Sequence, residues 1–170
     1  QGFAIQIAHS FGANNEEELR RTAGHSLVLA VITVAVLEVI AQIGLRPMLT
    51  LMRTPADTFT LTLRYLRIVF GGLPLVMGYN LFSGFLRSVG NSKTPLIAIT
   101  VSAVCNILLD VLFVVCFRWS VTGVAAATVI SQGISFLICL TAVFRLPLFK
   151  ISRSDLRLSR EMSFRLLKLG

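Results

Sequence analysis

Hydrophobic positions in this chain do not alternate or recur singly; they arrive in blocks. Residues 26–45, 66–86, 95–117 and 121–144 are each almost wholly apolar, and polar or charged residues collect between them. Each block reaches the ~20 residues that carry a helix across a bilayer. Residues 1–11 read as the last turns of a further helix. The pattern therefore predicts an all-α polytopic membrane protein, with spans near 1–11, 26–45, 66–86, 95–117 and 121–144 in a unit running to residue 150. Gln1 is no initiator, and no basic stretch with a small-residue cleavage site follows it. The expectation is that the chain is a piece of a longer protein.

Helix boundaries follow from local signals. Asn14 or Asn15 ahead of Glu16–Glu18 makes an acidic start. Thr54 with Pro55, and Thr94 with Pro95, read as cap and first-turn pairs. Gly71, Gly72 and Pro74 form a candidate hinge, because Pro74 deprives the Phe70 carbonyl of its helical donor and predicts a bend.

Composition strengthens the membrane reading. The chain is 55% hydrophobic and 14% charged, against ~25% charged in an average soluble domain, and its mean hydropathy is +0.80. The net charge of +8 is unevenly placed. With loops on alternating sides, segments 12–24, 87–94 and 145–170 hold eleven of the sixteen Lys and Arg residues. The positive-inside rule puts these segments in the cytoplasm, with the chain in the cell (inner) membrane. Excess positive charge then reports topology and contact with anionic membrane lipid, not nucleic-acid binding. Residues 151–170 place Arg153, Arg157 and Arg160 at helical spacing with Leu156, Phe164 and Leu167 interleaved, a basic segment lying along the membrane face. Cys105, Cys116 and Cys139 fall inside spans as small apolar residues.

The few polar residues within the blocks carry the functional signal. Ser102, Asn106 and Asp110 stand at i, i+4 and i+8; Thr128, Gln132 and Ser135 at i, i+4 and i+7. Asn80 and Ser83 share a face with Arg87, and Glu38 is one turn from Gln42. For the serines, helix–helix hydrogen bonds of ~0.6 kcal/mol each are sufficient explanation. Asp110 is different. It is the lone acid or base from Pro95 to Phe117, and a mid-span carboxylate costs ~2.5–3.5 kcal/mol on the most lenient scale. An ion or proton is the partner that recovers this. Glu38 stays open between an inter-helix or snorkelling role and cation contact, and Tyr79 reads first as packing. Glu38, Gln42, Gln132, Ser83 and Tyr79 are candidate cavity-lining residues. No catalytic residue, nucleophile–base pair, metal cluster or phosphate-binding glycine loop is visible, which points away from an enzyme and from any cofactor.

Four segments, AHSFGANNEEELRR, YLRIVFGGLPLVMGYNLFSGFLRSVGNSKTPL, NILLDVLF and VTGVAAATVISQGIS, resemble in order and spacing the second to sixth helices of the MATE multidrug and toxic compound extrusion transporters. The resemblance covers essentially all 170 residues. It implies most of the six-helix N-terminal lobe of a twelve-helix, two-lobe antiporter, with residues 151–170 opening the interlobe segment and a C-terminal lobe as partner. It also implies that Asn106, Asp110 and Thr128 match the coupling-cation residues of the fifth and sixth helices, with Asn80 as the nearest match on the fourth. A first-helix aspartate of that site has no counterpart in the chain. Na⁺ or H⁺ at Asp110 would then drive export of small amphiphilic, often cationic compounds. The alternatives are a lipid-linked oligosaccharide flippase of the same superfamily, expected to line its cavity with Arg and Lys where the spans offer only Arg64 and Arg67, and a membrane-embedded enzyme.

Overall fold

A computed structural model describes residues 2–13 and 15–147; the basic segment 151–170 lies outside the described residues. Every regular element among them is helical: α1 (Gly2–Gly12), α2 (Glu16–Leu51), α3 (Ala56–Gly71), α4 (Leu73–Ser88), α5 (Lys93–Val111), a π-turn (Leu112–Cys116) and α6 (Ser120–Arg145). Counting α3–α4 and α5 with its π-turn as single rods, four helices are long and apolar enough to cross a membrane: Glu17–Leu51, Ala56–Ser88, Lys93–Cys116 and Ser120–Arg145.

Two rods extend well past their apolar blocks. At ~1.5 Å per residue, α2 is ~54 Å long against a hydrocarbon core of ~30 Å. Arg20 and Arg21 therefore stand on helical turns, not in a loop over 12–24. Hydrophobicity marks where lipid lies, whereas the helix continues as long as its residues favour it. Asn15 starts α2 as expected: its Oδ1 accepts from the Glu18 N–H at 3.2 Å and its Nδ2 donates to Glu18 Oε2 at 3.2 Å, a side-chain cap reinforced by a second side-chain bond. An exposed Glu17–Arg21 ion pair at 2.9 Å follows. The other two starts differ from expectation. Pro55 itself occupies the cap position of α3. α5 begins at Lys93, one residue before Thr94, and the side chain of Asn91 accepts the Thr94 N–H at 3.2 Å. Thr94 lies inside the helix and supplies the free amide, so the capping side chain is that of Asn91, three residues before it.

The rods pack around α6, which touches α3, α4 and α5, while α2 packs on α1, α3 and α4. Lipid removes most hydrophobic drive between helices, so close approach and interhelical hydrogen bonds hold them together. Between the α3–α4 rod and α6, glycine supplies that approach at two positions: a Cβ on Gly72 would lie 2.8 Å from Val129 Cγ2, and one on Gly78 would lie 2.5 Å from the Phe136 ring. The interior cluster Ile7, Leu19, Ala23, Phe82, Phe85, Leu86, Ala98, Cys139 and Val143 fills the end of the bundle carrying Arg20, Arg21, Arg87 and Arg145. Leu45, Leu49 and Leu63 close the α2–α3 hairpin at the other end. Outward, α5 shows Leu96, Ile97, Val104, Ile107 and Leu108, a surface suited to lipid and not to water.

Candidate cation site

The polar stripe of α5 coincides with its inward face. Ser102 is buried and Asn106 and Asp110 are half-buried, whereas Ala103, Val104, Ile107, Leu108 and Val111 are exposed. Ser102 fixes the register of the pair, its hydroxyl donating to the Ser131 carbonyl of α6. α5 and α6 are antiparallel neighbours joined by the short turn at 117–119. One turn beyond Ser102, Asn106 therefore stands level with Ala127 and Thr128, and Asp110 one turn beyond that stands level with Val124.

Buried polar groups are nearly always partnered, so the exceptions mark where something else is expected. Six buried side-chain atoms lack a partner among the described residues: Gln6 Oε1, Ser10 Oγ, Thr22 Oγ1, Glu38 Oε2, Asn106 Nδ2 and Asp110 Oδ1. Asn106 and Asp110 form a pair one turn apart on the same face. Asp110 offers an acceptor, and the Asn106 amide can turn over to present its oxygen beside it, since amide nitrogen and oxygen exchange by rotation about the last bond. Such a constellation fits a small cation, or a proton on the carboxylate. Thr128 Oγ1 donates to the Val124 carbonyl at 2.9 Å, which leaves its lone pairs free to coordinate. One residue after Asp110 the backbone switches to the π-turn, and Phe113, Phe117 and Trp119 gather with ring centroids 5.1–6.0 Å apart. Gly123 fits beneath them: a Cβ there would lie 2.9 Å from Phe113 Cβ. π-turns recur at functional sites; this one carries no proline or glycine, so nothing in the sequence announced it. Ser131, the acceptor that sets the register, was equally unmarked, because its backbone carbonyl makes the contact.

Asn80 does not join this group. It is exposed and its Nδ2 donates to the Val76 carbonyl of its own helix at 3.0 Å. The residue of that rod meeting α6 near Thr128 is Gly72, packed against Val129 and Gln132, and Asn80 lies ~12 Å further along the helix. Other polar positions are structural ties. Ser83 Oγ accepts from Arg87 Nη2 at 3.0 Å, and the Tyr79 hydroxyl donates to the Pro95 carbonyl at 3.3 Å, joining α4 to α5. Ser135 bonds the Gln132 carbonyl within α6. Gln42 Nε2 donates to Glu38 Oε1 at 2.7 Å and to the Arg67 carbonyl at 3.1 Å, joining α2 to α3. The regular helix is interrupted at Gly72, beside Gly71 and Pro74, where the expected hinge lies.

A family model for MatE matches residues 1–112. The chain belongs to the MatE family. It is 36% identical to the probable multidrug resistance protein YoeA of Bacillus subtilis, over 99% of this chain and 38% of YoeA. It is also similar to a multidrug resistance MATE family transporter of the MOP superfamily solved inward-facing, at 25% identity with a TM-score of 0.91 over 99% of this chain and 39% of that one. An outward-facing MATE family structure gives 25% identity and a TM-score of 0.89 over 98% of this chain and 38% of the other. The chain thus spans about 38% of the length of YoeA. MatE proteins are membrane transporters, and the helical unit described above is the matching partial lobe.

Proposed function

We propose that this chain is the greater part of the N-terminal lobe of a two-lobe antiporter in the cell membrane. It uses Na⁺ or H⁺ bound at Asp110 to export amphiphilic, often cationic compounds. The supporting observation is the unpartnered pair Asp110 Oδ1 and Asn106 Nδ2 on the inward face of α5, level with Thr128. A carboxylate in that position is stabilised when an ion or proton occupies it, and its occupancy then biases which conformation of the two lobes is preferred. Similarity to both inward- and outward-facing structures agrees with a lobe that rocks as a unit. The excess of Arg and Lys at one end supports a cytoplasmic position for that end.

Gradient-driven efflux from vesicles carrying the full-length transporter tests the reading. A fluorescent cationic dye should leave against its gradient when Na⁺ or H⁺ is supplied on the opposite side, and stop when that gradient is collapsed. Movement of a lipid-linked sugar in place of dye, or dye movement indifferent to both ions, would overturn it.

Pro74 gives a second prediction. Replacing it with Ala restores the N–H that the Phe70 carbonyl lacks. Membrane insertion should be unchanged, and the efflux rate should fall as the break at Gly72 stiffens. A Pro74→Ala transporter working at the normal rate would make the break architecture only.

A further inference from the structure

The other carboxylate within the apolar blocks, Glu38, lies away from the Asp110 site. α2 touches neither α5 nor α6, so the α3–α4 rod stands between the two acids. Glu38 is half-buried, and its two oxygens are treated differently. Oε1 accepts from Gln42 Nε2 at 2.7 Å, while Oε2 is shut off from solvent without a partner. The same Gln42 nitrogen reaches the Arg67 carbonyl at 3.1 Å and lies 3.9 Å from where a Cβ on Gly71 would be. Since α2 and α3 run antiparallel through the turn at 52–55, Glu38, one turn back along α2, stands level with the turn of the rod that follows Gly71. That turn holds Gly72 and Pro74, where the Phe70 carbonyl has no Pro74 amide to bind.

The groups able to compensate a charge at Glu38 are few. On α3 these are Arg64, Tyr65 and Arg67, and none pairs with it among the described residues. On α4, the Tyr79 hydroxyl is held by the Pro95 carbonyl and Arg87 by Ser83. On α1 there is His9, near the basic end, and on α2 itself His25 and Arg46 lie more than a turn away. Glu38 Oε2 therefore has neither a hydrogen-bond partner nor an ion-pair partner among the described residues.

We infer that Glu38 is a proton-binding site of the lobe separate from Asp110, and that its proton braces the helix break at Gly71–Pro74. Protonated, the carboxyl gains an O–H that can donate to a carbonyl freed at the break, so that Glu38 and Gln42 together tie α2 to both sides of it. Ionised, Glu38 has acceptors alone, and Gln42 is the remaining donor to the rod. The inference concerns a different group from Asp110 and does not depend on which ion Asp110 binds.

Spin labels at Leu61 and Met77, exposed positions on either side of the break, report its geometry in the full-length transporter on a cysteine-free background in lipid. The separation should shift between acid and alkaline pH in the parent. Glu38→Gln, which keeps a donor at that position, should lose the shift and hold the acid-side separation at all pH. Glu38→Ala should lose it and hold the alkaline one. Asp110→Asn should keep the shift, so that failure here is distinct from failure of the Asp110 reading. Independently of any variant, labelling of Glu38 by a membrane-soluble carbodiimide, which attacks protonated carboxyls, should rise as pH falls. A pH shift that survives in Glu38→Gln, no shift in the parent, or labelling indifferent to pH would overturn the inference.

Discussion

Asp110→Asn in the full-length transporter is expected to yield a protein that inserts, folds and is at least as heat-stable as the parent, yet has lost gradient-driven efflux. The substitution preserves volume and most polarity while removing the charge. Where burial cost is the whole story, the amide is the better residue, because it is cheaper to hold away from water than a carboxylate. The structure sharpens this contrast: Asp110 Oδ1 is buried with no hydrogen-bond partner, so no bond within the described lobe is broken by the change. What disappears is the differential affinity of the two conformations for the coupling ion. Couplings of this kind are worth ~1–3 kcal/mol, or ~5–150-fold in equilibrium, and an ion that favours neither state shifts nothing. Dye efflux from energised vesicles should fall to the level seen with the ion gradient collapsed. Stabilisation of the purified protein by Na⁺ or by acid pH, where the parent shows it, should vanish with it. A stable Asp110→Asn transporter with full efflux would leave Asp110 as a structural residue.

The parts of the fold legible in the sequence were those set by the medium. Lipid demands long uninterrupted apolar helices, so the four spans and the inward stripe Ser102–Asn106–Asp110 could be read directly. Helix ends were less legible, since Glu17 to Arg21 and Ala56 to Tyr65 are helical although they are polar or mixed. Nothing in lipid preference reports that. The site was legible where side-chain chemistry makes it, at Asn106 and Asp110. It was illegible where backbone makes it, at the Ser131 carbonyl and the π-turn over 112–116. Asn80 shows the limit of spacing: its stripe with Ser83 is real, but Ser83 binds Arg87 and Asn80 bonds its own helix, far along the rod from Thr128. Helical spacing tells which residues share a face, not at which depth two helices meet. Depth is set by contacts such as Gly72 on Val129, which no single helix displays.

Gly78→Ala should cost more stability than a one-carbon change on a membrane helix ordinarily does. The new Cβ would sit 2.5 Å from Phe136 Cε2 and 2.6 Å from Cδ2, well inside van der Waals contact. The ring has little room to retreat: Phe136 packs on Phe82 with centroids 5.8 Å apart, and Phe82 in turn meets Phe85 edge-on at 5.9 Å. Phe85 is 1% exposed, so a displaced ring pushes into filled space. Overpacking of this order costs ~1–3 kcal/mol. Because lipid solvates a separated helix about as well as its neighbour does, that loss falls directly on the α4–α6 association. Thermal unfolding of the full-length protein in detergent, read for Gly78→Ala, Phe136→Leu and the pair, separates the steric term from general damage. Phe136→Leu alone should be destabilising, through the cavity it leaves. Combined with Gly78→Ala, the smaller side chain makes room for the methyl group, and the pair should cost less than the sum of the singles by ~0.5–3 kcal/mol. Strict additivity would mean that α4 and α6 do not meet at Gly78 and Phe136, and the depth at which the two helices cross would have to be redrawn.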